Sequence, residues 1–208
     1  MALLTSHTQV HPGLLISLVE LLLVAEKPLE DKKVERLLAP NSLDLFGIGA
    51  PKGIVELTLT AAEWLKLVKR SGGEVDLTPN LKNLLVEELF ERLPIVIDEG
   101  LFKREWRNIT TPEGLKVNRD SGGDIGIVLA WFMAQDPYDL KKLDPGALEA
   151  SWKRQLLEEK IPNPNEFELF NKTKSTAMRK WIKYLGYGVE VDNGIFVPDP
   201  AKAIQRKL

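Results

Sequence analysis

The sequence predicts a mainly α protein with small β hairpins, an α+β chain of tandem winged helix-turn-helix domains. Three observations carry that expectation. Residues 172–204 read as a basic helix, a glycine stop, a two-stranded hairpin and a proline stop. A similar succession of helix, glycine turn and proline recurs over residues 64–79. Upstream of each lie segments with the three-to-four-residue apolar spacing of amphipathic helices.

Residues 1–11 are polar and aperiodic, and predict a loose arm. After Pro12 and Gly13, the residues Leu14, Leu15, Leu18, Leu21, Leu22 and Ala25 form an apolar face broad enough for a buried helix. A second helix follows over 31–39, with Val34, Leu37 and Leu38 inward, and stops at Pro40. Residues 41–51 read as a long loop. From Ile54 the β-branched content suits strand or helix, and a helix over 54–68 is preferred because a winged helix needs its third helix there. Residues 70–78 then form a short wing around Ser71-Gly72-Gly73, with Val75 and Leu77 alternating. Residues 80–93 predict a fourth helix, and 94–106 a connection. The first winged-helix domain thus covers 1–107, with 108–123 as a polar, glycine-punctuated linker.

The second domain covers 124–208. Asp124 is a candidate N-cap for a helix that buries Ile125, Val128, Leu129, Phe132 and Met133. Residues 145–160 predict the next helix, with Leu148, Trp152, Leu156 and Leu157 inward. In the third, Met178, Trp181, Ile182 and Leu185 line one face before Gly186. Val189, Val191, Ile195 and Val197 flank Asp192-Asn193-Gly194, whose Asn-Gly pair suits a tight hairpin turn. Trp64-Leu65-Lys66-Leu67-Val68 matches Trp181-Ile182-Lys183-Tyr184-Leu185 position by position, so the unit reads as duplicated.

Composition narrows the function. There is no cysteine, which excludes disulfides, thiolate metal sites and thiol nucleophiles. The longest apolar run, 13–25, is broken by Ser17 and Glu20 and is too short for a bilayer. It lacks the features of a signal peptide, so a cytoplasmic protein without a membrane partner is expected. A net charge of −2 and a pI near 5.8 argue against a wholly basic, non-specific nucleic-acid binder. DNA contact must come from a local face. Lys172, Lys174, Ser175, Thr176, Arg179, Lys180 and Lys183 form that candidate, with Lys153 and Arg154 in support. A single arginine favours phosphate positioning over base readout, while an ordinary solvated face is the competing account. The first unit carries Glu56 and Glu63 beside Lys66 and Lys69, which suits docking to a protein.

Catalytic signatures are wanting. His7 and His11, four apart, are the only histidines and lack the metalloprotease glutamate. Gly122-Gly123-Asp124 has no phosphate-loop lysine after it, and Asp98, Glu99, Asp120 and Asp124 lack nuclease spacing. Trp64 and Trp181 suit core packing; Tyr187 and Phe196, beside the second wing, are candidates for base stacking or for covering their own domain. No cofactor, metal, catalytic residue or small-molecule substrate is expected.

Three stretches carry a resemblance. The segment Trp131 to Pro137, then Trp181 with Tyr184-Leu185-Gly186, then Val197-Pro198-Asp199-Pro200 before Ala203-Ile204, resemble the DpdG proteins. These are encoded in prokaryotic gene clusters that insert 7-deazaguanine bases into DNA for restriction or phage defence. The resemblance covers mainly residues 80–204. It implies an accessory protein without assigned chemistry, working beside DNA-modifying or DNA-cleaving partners, and it offers no catalytic residues. Members of that family continue past the Pro-Asp-Pro segment, so a short relative, a fragment or a member of another defence family is expected. The function expected is that of a non-enzymatic, DNA-associated accessory subunit held among other protein subunits of a modification or anti-phage defence complex. The alternative is a protein scaffold that never meets nucleic acid.

Overall fold

The computed structural model describes residues 10–40, 53–102, 111, 113, 124–136, 145–160, 172–191 and 195–208. Their contacts separate two compact units, His7–Gly100 and one containing Leu101–Leu208. Apart from Thr111 and Glu113, the expected linker lies outside the described residues. The architecture is mainly helical with small antiparallel sheets.

The first unit opens with α1 (Pro12–Ala25), whose leading proline lacks only a donor that a helix start leaves unused. Leu15, Leu18, Val19 and Leu22 are its buried side. After β1 (Leu29–Glu30) comes α2 (Asp31–Leu38), which buries Val34 and leaves Leu37 exposed, against expectation.

The ambiguous stretch is helix, α3 (Ile54–Trp64). The Thr58 and Thr60 hydroxyls donate to the carbonyls of Ile54 and Glu56, at 2.7 and 2.8 Å, so these β-branched residues are satisfied within it. The helix stops four residues earlier than predicted. Lys66 takes a left-handed φ of 59°, and the Leu67 amide reaches back to the Ala62 carbonyl at 2.8 Å, closing the helix end. Val68, expected as helix, instead opens β2 (Val68–Ser71). Gly72 and Gly73, both at positive φ, turn the chain into β3 (Glu74–Leu77). The sheet runs β1-β3-β2, all antiparallel, with Leu29 opposite Val75 and Val68 opposite Leu77. A two-residue β1 shows no period, which is why the sequence did not reveal it.

Arg70 on β2 ties this unit together. Its Nη2 donates to Asp31 Oδ2 at 2.7 Å, and its Nη1 and Nη2 donate to the two Glu56 oxygens at 2.8 and 3.0 Å. Two acids, from the starts of α2 and α3, hold the guanidinium well above even its ordinary pKa, chiefly through the Glu56 hydrogen bonds. Arg70→Met is expected to lower stability by about 1–2 kcal/mol, discounted for the exposure of Glu56. A urea midpoint shift at constant slope would measure it.

The single helix predicted over 80–93 is instead three pieces. They are α4 (Pro79–Lys82), a 3-10 turn (Val86–Glu88) and α5 (Leu89–Phe102). Residues 94–102, predicted as connection, belong to α5, and Pro94 lies inside it. Proline forfeits a bond to the Phe90 carbonyl. Leu89, Leu93, Ile97 and Leu101 nevertheless recur at steps of four and are all buried, and this row carries the helix through. Gly100 sits where a Cβ would stand 3.0 Å from the Leu65 carbonyl oxygen, so α5 passes close to the end of α3.

The second unit contains α6 (Asp124–Met133), α7 (Pro145–Glu158) and α8 (Lys172–Leu185), then β4 (Gly188–Val191), β5 (Ile195–Pro198) and α9 (Ala201–Gln205). α8 packs on both α6 and α7. Ala177, Met178, Trp181 and Ile182 are wholly buried. Trp131 meets Trp152 edge to face, with centroids 5.4 Å apart. Leu157, predicted inward on α7, is exposed. The Asp192-Asn193-Gly194 turn and the side chain of the Asp124 cap candidate lie outside the described residues.

The two helix-hairpin joints share one geometry. As Leu67 donates to Ala62, so Tyr187 donates to Ile182, at 3.0 Å, beside Gly186 at a φ of 80°. As the Thr78 amide donates to the Leu67 carbonyl, so Asp199 donates to Tyr187, both at 3.0 Å. These bonds equate Lys66 with Gly186, and therefore Trp64 with Tyr184. The position-by-position match drawn from sequence, Trp64 on Trp181, is out of register by three residues. Trp181 corresponds instead to Ala61, buried like it.

Candidate nucleic-acid interface

The geometry of α8 redraws the predicted basic face. Thr176, Lys180 and Lys183 follow one another at steps of four and three and are exposed, forming one outward stripe. Lys174 and Ser175, expected on it, are buried, at 6% and 1% exposure. The helical period explains this: Lys174, Met178, Trp181 and Leu185 form a single row, so Lys174 falls among the apolar residues. Arg179 is half-buried, its guanidinium carbon 5.9 Å from the centre of the Phe196 ring. The Lys172 side chain lies outside the described residues.

On α7, Lys153 and Arg154 pair along their own helix, with Glu149 at 2.7 Å and Glu158 at 3.8 Å. The exposed Lys183 Nζ stands 3.5 Å from Glu190 on β4. That distance, with both partners solvated, makes a weak pair that a competing phosphate can displace.

The hairpin has the opposite sidedness to the one its valines suggest. Gly188 and Phe196 face inward: a Cβ on Gly188 would stand 2.8 Å from Ile182 Cγ2 and 2.9 Å from Phe196 Cζ. Phe196 stacks on Phe132 at 5.3 Å between centroids. Val189 and Val191 consequently point outward, at 39% and 42% exposure. Phe196 therefore covers its own core, and Tyr187 meets Phe102 edge-on at 6.2 Å.

α9 follows the proline stop after the hairpin and docks at the end of α8. The Ala203 amide donates to the Gly186 carbonyl at 3.1 Å, and Arg206 Nη1 donates to the Tyr184 carbonyl at 3.2 Å. Asp199 Oδ1 accepts the Ala201 amide at 3.0 Å. Burial pushes the Tyr184 phenol well above its ordinary pKa, with Arg206 opposing. Lys202 and Lys207 are exposed.

In the first unit, Glu56 is committed to Arg70, and Glu63, Lys66 and Lys69 are exposed. A cleft of about 460 Å³ opens between the end of α1 and the segment after α4, lined by Leu22, Leu77, Leu84 and Leu85, with the Asp76–Lys82 ion pair at its side. Asp98 is buried in α5 and Glu99 is exposed on it. Asp120, the Asp124 side chain and His7 lie outside the described residues. Among the described residues no three acidic or histidine side chains gather as a metal site. No helix among them is long and apolar enough to cross a membrane.

Fold and surface together define a class: a helical protein of two units, each with a helix running into an antiparallel hairpin, the second with a cationic stripe on that helix. The chain belongs to the DpdG-like family, whose model matches residues 1–208, well beyond the portion that carries the sequence resemblance. No curated protein and no solved structure matches it.

Proposed function

We propose that the chain is a non-enzymatic accessory subunit of a prokaryotic 7-deazaguanine DNA-modification or defence system, made of two winged-helix domains, the second of which holds the nucleic-acid backbone. The observation that carries this reading is the outward stripe Thr176, Lys180 and Lys183 on the helix preceding the second hairpin. That helix is the groove-facing element of helix-turn-helix proteins. Support for the winged-helix assignment comes from the first unit, where helix, strand, two helices and two strands follow in order with the sheet arranged β1-β3-β2. The shared joint geometry extends it to the second. A role in the modification system rests on family membership.

The experiment is a salt titration of binding to labelled duplex and single-stranded DNA by wild type and by Lys180→Glu with Lys183→Glu. These two positions are chosen because both are exposed, whereas Arg179 contacts the core through Phe196. The wild type is expected to bind with an affinity that falls steeply with salt, and the variant to lose at least about tenfold at low salt. Absence of wild-type binding at low salt would refute autonomous DNA binding.

A scaffold without nucleic-acid contact is the second reading, and a specific observation favours it. Val189 and Val191 on the second hairpin, and Leu85 and Phe90 in the first unit, are exposed apolar side chains of the kind protein partners cover.

A further inference from the structure

We propose that the cleft of the first unit, between the end of α1 and the segment after α4, receives a segment of a partner protein in which a large apolar side chain is flanked by lysines or arginines; this rests on the accessory-subunit reading and gives that subunit its docking site. The lining is apolar in graded steps. Leu22 and Leu77 are buried, Leu84 is half-buried and Leu85 is 61% exposed. A volume of about 460 Å³ falls within the range of roughly 300–1,000 Å³ that binding clefts span. Leu85 carries the apolar surface out of the cleft. A small molecule seated inside leaves that leucine in water, whereas a peptide with one side chain in the cleft and its backbone across the mouth covers both.

Charge selects the partner. Glu26 and Glu87 line the same cleft, and neither has an ion pair among the described residues. Asp76 is held by Lys82, so Lys27 is the lining cation that faces these two carboxylates. The last turn of α1 carries no basic residue, and the negative end of its dipole adds to the same field. Glu88 and Glu91 follow Glu87 in the chain, both exposed. Across residues 7–100 acids outnumber bases fifteen to ten, so the wider field of this unit has the same sign. Glu26 adds a backbone observation. It takes a left-handed φ of 54° at the helix end, where glycine is the ordinary residue. The fold bears that conformation and gains a carboxylate at the cleft, as strained positions at binding sites do. A cationic segment is drawn to such a rim and an acidic one is repelled.

The test measures binding of three labelled peptides to the full chain by fluorescence anisotropy: a helical leucine–lysine peptide, the same peptide with glutamate for lysine, and a serine–lysine peptide of equal charge. The wild type is expected to bind the first and neither control. Glu26→Gly with Glu87→Gln is expected to weaken that binding about fivefold, while the thermal midpoint stays at or above that of the wild type, because glycine suits the left-handed position. Leu85→Ser, at an exposed site, is expected to weaken it as well. No binding of the leucine–lysine peptide, equal binding of either control, or binding untouched by both variants would overturn the proposal. A concentration-dependent dimer of the chain alone, lost in Leu85→Ser, would assign the cleft to a second copy and overturn it too. Duplex binding by the Glu26→Gly with Glu87→Gln protein is expected to match the wild type, so a failed cleft and a failed α8 stripe give different results.

Discussion

Trp181→Ala is expected to cost about 3–5 kcal/mol, and Trp64→Ala no more than about half as much. Trp181 has no exposed surface and lies in the row that α8 turns toward α6 and α7, so truncation leaves a cavity in the middle of the unit. Trp64 is half-buried at the last residue of α3, where solvent can fill part of the space. The contrast tests the register of the repeat. Had the two tryptophans been equivalent, as their flanking residues suggest, the losses would be similar. Equal shifts in the urea midpoint, followed by circular dichroism, would contradict the three-residue offset.

Gly188→Val is expected to destabilise the second unit by about 2–3 kcal/mol through overpacking. The backbone at Gly188 lies against Ile182 and Phe196, and even a methyl group would approach both within 3 Å. Neither neighbour can retreat freely, since Ile182 is fully buried and Phe196 is stacked on Phe132. The hairpin must therefore lift from α8. A thermal midpoint unchanged by the substitution would show that the hairpin does not seat on that glycine.

What the sequence made legible depended on how much chain each signal spans. The apolar row of α8 and its glycine stop were readable because fourteen residues repeat the period several times. The hairpin after it was readable as a hairpin, but not its sidedness. Four β-branched residues in alternation look like a buried face, whereas the inward positions are Gly188 and Phe196, a gap and a ring that fills it. The charge of Lys174 points to solvent, whereas its helical phase sets it beside Met178 and Trp181. Pro94 lies at the predicted end of the fourth helix, yet α5 runs through it. The four-residue step from Leu89 to Leu101 was the stronger signal and lay in plain view. β1 had no such signal at all, being two residues whose pairing is decided by β3.

The paired joints also give each unit its own internal gauge. The amides of Thr78 and Asp199 each donate to a carbonyl just beyond the preceding helix, Leu67 in one unit and Tyr187 in the other. Neither proton can exchange with solvent until its own hairpin parts from its own helix. Deuterium uptake at these two amides thus separates a chain that opens half by half from one that opens as a single cooperative body, without any label or substitution.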